Sequence, residues 1–489
     1  MTHPLPAQGS SPEQILAELN ELKRNDIDWR DGKALAYVFH ASEETEALAE
    51  EAFRQYMWQN ALDPTVFPST MKLETEIVAW AANHLRGDEN VVGNFTSGGT
   101  ESVLLAVKTA RDHARVNRPQ ITTPNMVLPI SAHPCFHKAA HYFGIETKVT
   151  PIDPNTCQAD PSAIRESIDP NTILLVASAP SYANGAIDPV PTIGKIAAEK
   201  GLLFHVDGCI GGFLLPFFRE LGADVPDFDF QVEGVTSMSM DFHKYAYCPK
   251  GASVVLHRNA EIRKHQIFSY SGWPGYTIIN PTVQSSKSGG PLAACWAVLR
   301  HQGREGFLKI ASELLRLSNR FRSGIEAHPE LKLVGTPGMT LFAIATETID
   351  VFALCDELKK RGWTTHPQMQ IEELPSNFHI NLIPLQKESV LDAFFSDLDA
   401  SIEVIQGSTQ EQGPMVAMVR EALQGFDTST VPDEVLMQLL QMVGLGEGGL
   451  PDSEMAEINH ILDELPIGLR DRVLTLYFNE LCQFHPQTA

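Results

Sequence analysis

Seven cysteines are all that this 489-residue chain contains, and no two of them form a Cys-x-x-Cys pair. Cys135, Cys157, Cys209, Cys248, Cys295, Cys355 and Cys482 are scattered and odd in number. That spacing excludes a zinc site or a disulfide frame and fits reduced thiols. Cationic residues are also scarce: 37 lysines and arginines stand against 61 aspartates and glutamates, a formal charge of −24. A surface of that sign repels nucleic-acid backbones and anionic membranes, and leaves at most a local basic pocket for a small anion. Long apolar runs are missing too. The most hydrophobic stretch, LLFHVDGCIGGFLLPFF, is broken by Asp207 and several glycines and cannot span a bilayer. The first residues, MTHPLPAQGSSPEQ, hold no segment of the signal-peptide kind. The expectation is a cytoplasmic protein without nucleic-acid or membrane partners.

What is present is an alternation. From about residue 75 to 320, β-branched apolar runs alternate with helix-like segments, the pattern of a parallel sheet covered on both faces. The predicted strands are MVLPIS (126–131), TILLVAS (172–178), LLFHVD (202–207), VTSMSM (235–240) and SVVLH (253–257). Helices are predicted at 101–116 and 191–201, the second stopped by Gly201. After about 325 the order becomes two strands, a helix, two strands and a helix, a smaller α+β domain. The chain therefore divides into an N-terminal helical segment (1–75), a large domain (76–325), a small domain (326–411) and a helical extension (412–489). In that extension two helical runs flank the turn GLGEGGLPDSE.

Ligands of open α/β sheets bind at the carboxyl ends of the strands, and four polar groups fall there. Thr96-Ser97-Gly98-Gly99-Thr100-Glu101-Ser102 opens a helix, where free N–H groups favour an anion such as phosphate; a plain capped glycine turn is the alternative. His133 follows MVLPIS, and an imidazole there can lie flat on an aromatic ligand or serve the structure. Asp207 ends a buried strand and should face a cation, either a protonated ring nitrogen or a structural arginine. Lys244 follows VTSMSM among Phe242, Tyr245 and Tyr247, where burial is expected to lower its pKa and make it an imine-forming nucleophile. A phosphate cradle, a stacking ring, an acid for a pyridinium and an imine-forming lysine are the parts that hold pyridoxal phosphate.

These motifs carry a resemblance. TSGGTES (96–102), SAHPCFHKAA (131–140), AIDPVP (186–191), HVDGCIGGF (205–213), GVTSMSMDFHKYAYCPKG (234–251) and SGG followed by AACW (288–296) stand in order, together with NALDPTVFPSTMKLETEI (60–77). The chain resembles fold-type-I pyridoxal-phosphate enzymes of the group II decarboxylase superfamily, and within it the sphingosine-1-phosphate lyase branch, from about residue 35 to 400. The resemblance implies an α/β fold with a mostly parallel sheet in the large domain and a smaller C-terminal α+β domain. It implies Lys244 as the Schiff-base lysine, Asp207 on the ring nitrogen and His133 stacked on the ring. Gly99 and Thr100 would bind the phosphate, with His243 beside it. It also implies a homodimer with shared active sites, in which Gly289 and Gly290 reach the second copy's phosphate site, and Lys250 as the contact for a substrate phosphate.

Two positions depart from the lyase pattern. Asp63 stands where the lyases have a histidine, and Phe39 stands where they have a tyrosine, with Tyr37 two residues away. Both bear on substrate binding, and an aspartate beside a phosphate is repulsive by about 1–4 kcal/mol. The region past 412 shows no placed resemblance and reads as a helical cap. The expected activity is a pyridoxal-phosphate carbon–carbon lyase acting on a small-molecule amine through an external aldimine. It either decarboxylates an amino acid or cleaves a β-hydroxy amine in retro-aldol fashion. The alternatives are a non-catalytic protein or a transaminase of the same fold.

Overall fold

The computed structural model describes residues 5–407, 414–423, 431–442 and 455–483. Seven strands build the main sheet: β1 (Val92–Thr96), β2 (Asn125–Pro129), β3 (Glu146–Thr150), β4 (Thr172–Ser178), β5 (Leu203–Asp207), β6 (Ser237–Asp241) and β7 (Ser253–His257). Their order is β1-β7-β6-β5-β4-β2-β3. The pairs from β3 through β6 are parallel, while β7 runs antiparallel to both β6 and β1.

Alternation along the strands divides the apolar residues between two cores. Met126, Leu128, Leu174 and Val176 pack with Val103 and Val107 of the helix Gly99–Asn117 on one face. Val127, Leu175, Ala177, Phe204 and Val206 pack on the other. Every residue of β4 is buried, which is why this strand reads as an unbroken apolar run. The chain leaves β2 towards β3 and β4 in opposite directions, so the switch in strand order lies between β2 and β4.

Six further strands follow: β8 (Phe268–Tyr270), β9 (Ile278–Asn280), β10 (Leu331–Leu333), β11 (Leu341–Thr346), β12 (His366–Gln368) and β13 (Asn377–Asn381). β8 and β9 pair as a hairpin, and the last four form a sheet of order β10-β11-β13-β12.

The chain divides into two compact units. One holds Tyr37–Ile344 and His379–Glu388; the other holds Ala345–Phe378 and the described residues before Tyr37 and after Glu388. In the second unit, the C-terminal helices Pro414–Leu423, Asp433–Met442, Ala456–Glu464 and Ile467–Leu481 share an apolar cluster around Val416, Leu436, Ile461, Leu469 and Val473. Asp356 accepts the N–H groups of Met455 and Ala456 at 3.0 and 2.8 Å and so satisfies the open start of one of these helices. Asp463 accepts from Gln370 N at 2.7 Å and Ser376 Oγ at 2.5 Å. The sequence-predicted turn GLGEGGLPDSE lies outside the described residues.

Candidate active site

Strand ends converge on one cavity of about 340 Å³. Gly98, Gly99 and Thr100 follow β1, His133 follows β2, Tyr182 follows β4, Asp207 ends β5, and Asp241, His243 and Lys244 come from the end of β6. Gly99, Thr100, His133, Asp207, His243 and Lys244, picked out in the sequence, are thus brought together. A larger cavity of about 650 Å³ opens beside Trp80, Phe213 and Phe307. It gathers no comparable set: its Arg86 is tied to Asp227 and Asp229, and its Arg304 to Glu220.

The turn at 97–101 is built for close approach. A Cβ on Gly99 would sit 2.7 Å from Cys209 Sγ and 2.9 Å from Asp241 Oδ2, so only glycine fits there and the backbone stays open to a ligand. Glu101 splits its carboxylate between two segments: Oε2 accepts from Ser97 N at 2.6 Å, while Oε1 accepts from Val283 N at 2.7 Å and Gln284 N at 3.3 Å. Behind the turn, Thr96 Oγ1 meets Ser102 Oγ at 2.6 Å, and Ser102 Oγ meets Ser253 Oγ at 2.8 Å.

Asp207 is oriented from below. Its Oδ1 accepts from Cys209 N at 3.0 Å and Ser239 Oγ at 3.2 Å. Ser239 Oγ also lies 3.2 Å from Nε2 of His205, whose Nδ1 meets Ser237 Oγ at 2.9 Å. Burial holds the His205 imidazole neutral, with its pKa lowered to about 4. His133 Nδ1 accepts from Cys135 N at 3.2 Å, which leaves the other ring nitrogen to carry the proton. Burial and the Lys244 charge lower the His133 pKa, although Asp207 opposes them. Its ring stands edge-on to Tyr182, which in turn packs on His379 with ring centres 4.6 Å apart.

Lys244 corrects the expectation drawn from sequence. Burial does oppose its charge, yet its pKa is raised, because Asp241 Oδ2 lies 3.0 Å from Nζ and the Asp207 charge adds to the effect. Asp241 was missed. Its signal was the period-two run Ser237-Met238-Ser239-Met240-Asp241, which places Ser237, Ser239 and Asp241 on one face of β6.

The remaining predicted residues lie outside this cavity's lining. Lys250, six residues beyond Lys244, donates from Nζ to Tyr37 O at 3.2 Å and stands 5.1 Å from the centre of the Phe39 ring. Its side chain is exposed, yet the ammonium is crowded enough that burial and the Lys244 charge lower its pKa. Phe39 packs edge-on against Tyr245. Tyr37 holds φ at 67°, a left-handed conformation that a bulky residue seldom adopts. Asp63 is exposed and turns onto its own loop, accepting from Thr65 N at 2.8 Å and Thr65 Oγ1 at 2.6 Å. Within the protomer Gly290 is needed for packing, since a Cβ there would strike the Phe53 ring at 2.9 Å; Gly289 N donates to Gln59 O at 2.8 Å.

Comparison with known proteins places this geometry. Residues 3–345 match the family described as "Pyridoxal-dependent decarboxylase conserved domain". The sphingosine-1-phosphate lyase of Arabidopsis thaliana is 39% identical over 415 residues, covering 83% of this chain and 75% of that protein. Sphingosine-1-phosphate lyase 1 of Rattus norvegicus is 36% identical over 404 residues, covering 82% of this chain and 70% of that protein. Among solved structures, a sphingosine-1-phosphate lyase of Burkholderia pseudomallei gives a TM-score of 0.80 at 37% identity, covering 83% of this chain and 94% of that one. The glutamate decarboxylase of Lactobacillus brevis, at 19% identity and a TM-score of 0.74, covers 84% of this chain and 96% of that one and shares the fold. Residues 417–480 match a second family, "Pyridoxal-dependent enzyme, C-terminal putative HTH domain", a resemblance that sequence reading left unplaced.

Proposed function

This chain is a pyridoxal-phosphate-dependent lyase of the pyridoxal-dependent decarboxylase family, in its sphingosine-1-phosphate lyase branch, and we propose that it cleaves the Cα–Cβ bond of a phosphorylated β-hydroxy amine. The observation that carries this substrate class is Lys250. Its crowded ammonium forms no ion pair among the described residues, whereas the Asp63 carboxylate that argued against a phosphate is occupied by Thr65. An ammonium without a carboxylate partner is a seat for an anion.

The residues fit the cofactor. The Gly98–Thr100 turn and the start of its helix would hold the phosphate, His133 would lie along the ring, and Asp207 would keep a proton on the ring nitrogen. When bound, pyridoxal phosphate supplies an aldehyde for the Lys244 amine and a ring that accepts electrons from the substrate carbon. Lys244 Nζ would then hold or return a proton at the reacting carbon, and Tyr182 with His379 would wall the cavity against water. Lys250 would orient the substrate by its anionic end, and the pose would decide which bond breaks.

The reading extends to a cytoplasmic homodimer in which Gly289 and Gly290 border the second copy's cofactor. The β8–β9 hairpin supports an interface, because Phe268, Tyr270, Trp273, Tyr276 and Ile279 all face solvent in the single chain. It excludes nucleic acid. Between 417 and 480 there are three arginines against twelve carboxylates, and Arg420, Arg470 and Arg472 sit in ion pairs with Glu464, Asp463 and Asp433.

The test is product analysis with purified protein given a long-chain sphingoid-base phosphate or L-aspartate. Aldehyde from the first, without carbon dioxide from the second, is expected. Carbon dioxide from aspartate with no aldehyde from the phosphate ester would replace the retro-aldol reading by decarboxylation.

A further inference from the structure

Beside Asp207, a second aspartate lines the site. Asp241 ends β6 almost fully buried. Its Oδ2 is 3.0 Å from Lys244 Nζ and 3.5 Å from His243 Nε2. Its Oδ1 is buried without a well-formed hydrogen bond, although the Ser253 hydroxyl is near enough to favour the charge. A buried carboxylate in this state depends on the cation beside it.

The other groups facing Lys244 cannot take this part. Asp207 engages Cys209 N and Ser239 Oγ and makes no ion pair with Lys244. Lys250 brings positive charge, burial lowers the pKa of His243 and His133 alike and favours their neutral rings, and burial keeps the Cys209 thiol and Tyr182 phenol protonated.

We propose that Asp241, rather than Asp207, sets the protonation state of Lys244. It stores the lysine as an ammonium in the cofactor-free protein and so governs how fast the amine captures pyridoxal phosphate. The inference rests on Lys244 being the cofactor lysine. Capture joins Nζ to the aldehyde carbon as C=N, breaks the C=O bond and releases its oxygen as water. The proton that Nζ must shed first passes to Asp241 Oδ2 or to solvent, and nothing is oxidised or reduced. Asp241 is a positioning residue in this account, since it acts through Lys244.

The experiment follows the rise of the visible absorbance band when the full chain, freed of cofactor, is mixed with pyridoxal phosphate between pH 7 and 9. The wild-type rate should rise about tenfold per pH unit, as the free-amine fraction does. Asp241→Asn should load at least about tenfold faster at pH 7 with a nearly flat profile, because burial then favours the neutral amine. Asp207→Asn should keep the wild-type slope. A flat wild-type profile overturns the proposal, as does a flattening caused by Asp207→Asn and not by Asp241→Asn. Should Asp241→Asn fail to fold, Asp241→Ser, which also removes the carboxylate, takes its place with the same expected flattening. A borohydride-reducible band that survives in Lys244→Ala would instead overturn the assignment of the cofactor lysine.

Discussion

The strand-end cavity and the C-terminal helices use the same side chain in opposite ways. At the ends of β5 and β6, Asp207 and Asp241 are buried, and their charge is tolerated only because Lys244 and hydrogen-bond donors stand against it. Against the C-terminal helices, Asp356 of the helix Val351–Lys360 and Asp463 satisfy open N–H and hydroxyl groups, a structural task that leaves no charge stranded. Burial does not separate the two pairs, since Asp356 is 7% exposed and Asp207 8%; the partner does, an ammonium beside Asp241 and backbone N–H groups beside Asp356. The contrast can be tested by removing one group at a time.

The largest effect belongs to Lys244. Lys244→Ala should lower cleavage on the order of 10⁴-fold or more and abolish the absorbance band that borohydride reduces. A residual rate within tenfold of wild type would return the site to a binding role.

Acid should come next, through the interior of the sheet. His205 and His257 are both fully buried, and burial pushes each pKa down to about 4. The unfolded chain binds these two protons near pH 6.5, so the stability they contribute is complete above that pH and drains away between about 6.5 and 4. Each loss is about 2–3 kcal/mol. Asp188 works the other way. Burial raises its pKa to about 6 against the N–H bonds from Ala159 and Ser178, so it opposes folding above pH 6 and ceases to as pH falls towards the ordinary aspartate value. Thermal melts at pH 7 and pH 4.5 should therefore show a net fall, shallower in His205→Gln.

Asp356→Ala should cost about 1 kcal/mol, confined to the C-terminal helices and seen as faster amide exchange there, with the cofactor band intact. Smallest of all, Asp63→Asn should change kcat/KM by less than about twofold and leave Tm nearly unmoved, since an asparagine oxygen can accept the same Thr65 bonds. A large shift in substrate preference would show that Asp63 meets the substrate after all.

How far the sequence led is clearest strand by strand. β4 and β7 were legible to the residue, since a strand buried on both faces must be apolar throughout. β1 (VGNFT) and β3 (ETKVT) were not recognised; they lie at the sheet edges, where polar residues hide the pattern. The cofactor set was legible because chemistry placed its members at strand ends. Asp241 was not legible because it reads as the ordinary polar end of the strand Ser237–Asp241, and without its contact the sign of the Lys244 shift was not legible either. Burial can be read from a sequence; a carboxylate 3.0 Å away needs the fold.

Glu101 has one further consequence. With its two oxygens divided between Ser97 and the 283–284 segment, it makes the phosphate turn and that segment a single mechanical part. Whatever steadies one loop therefore steadies the other. A ligand seated at the turn should slow amide exchange at Val283, far along the chain, and Glu101→Gln should let the two loops open independently.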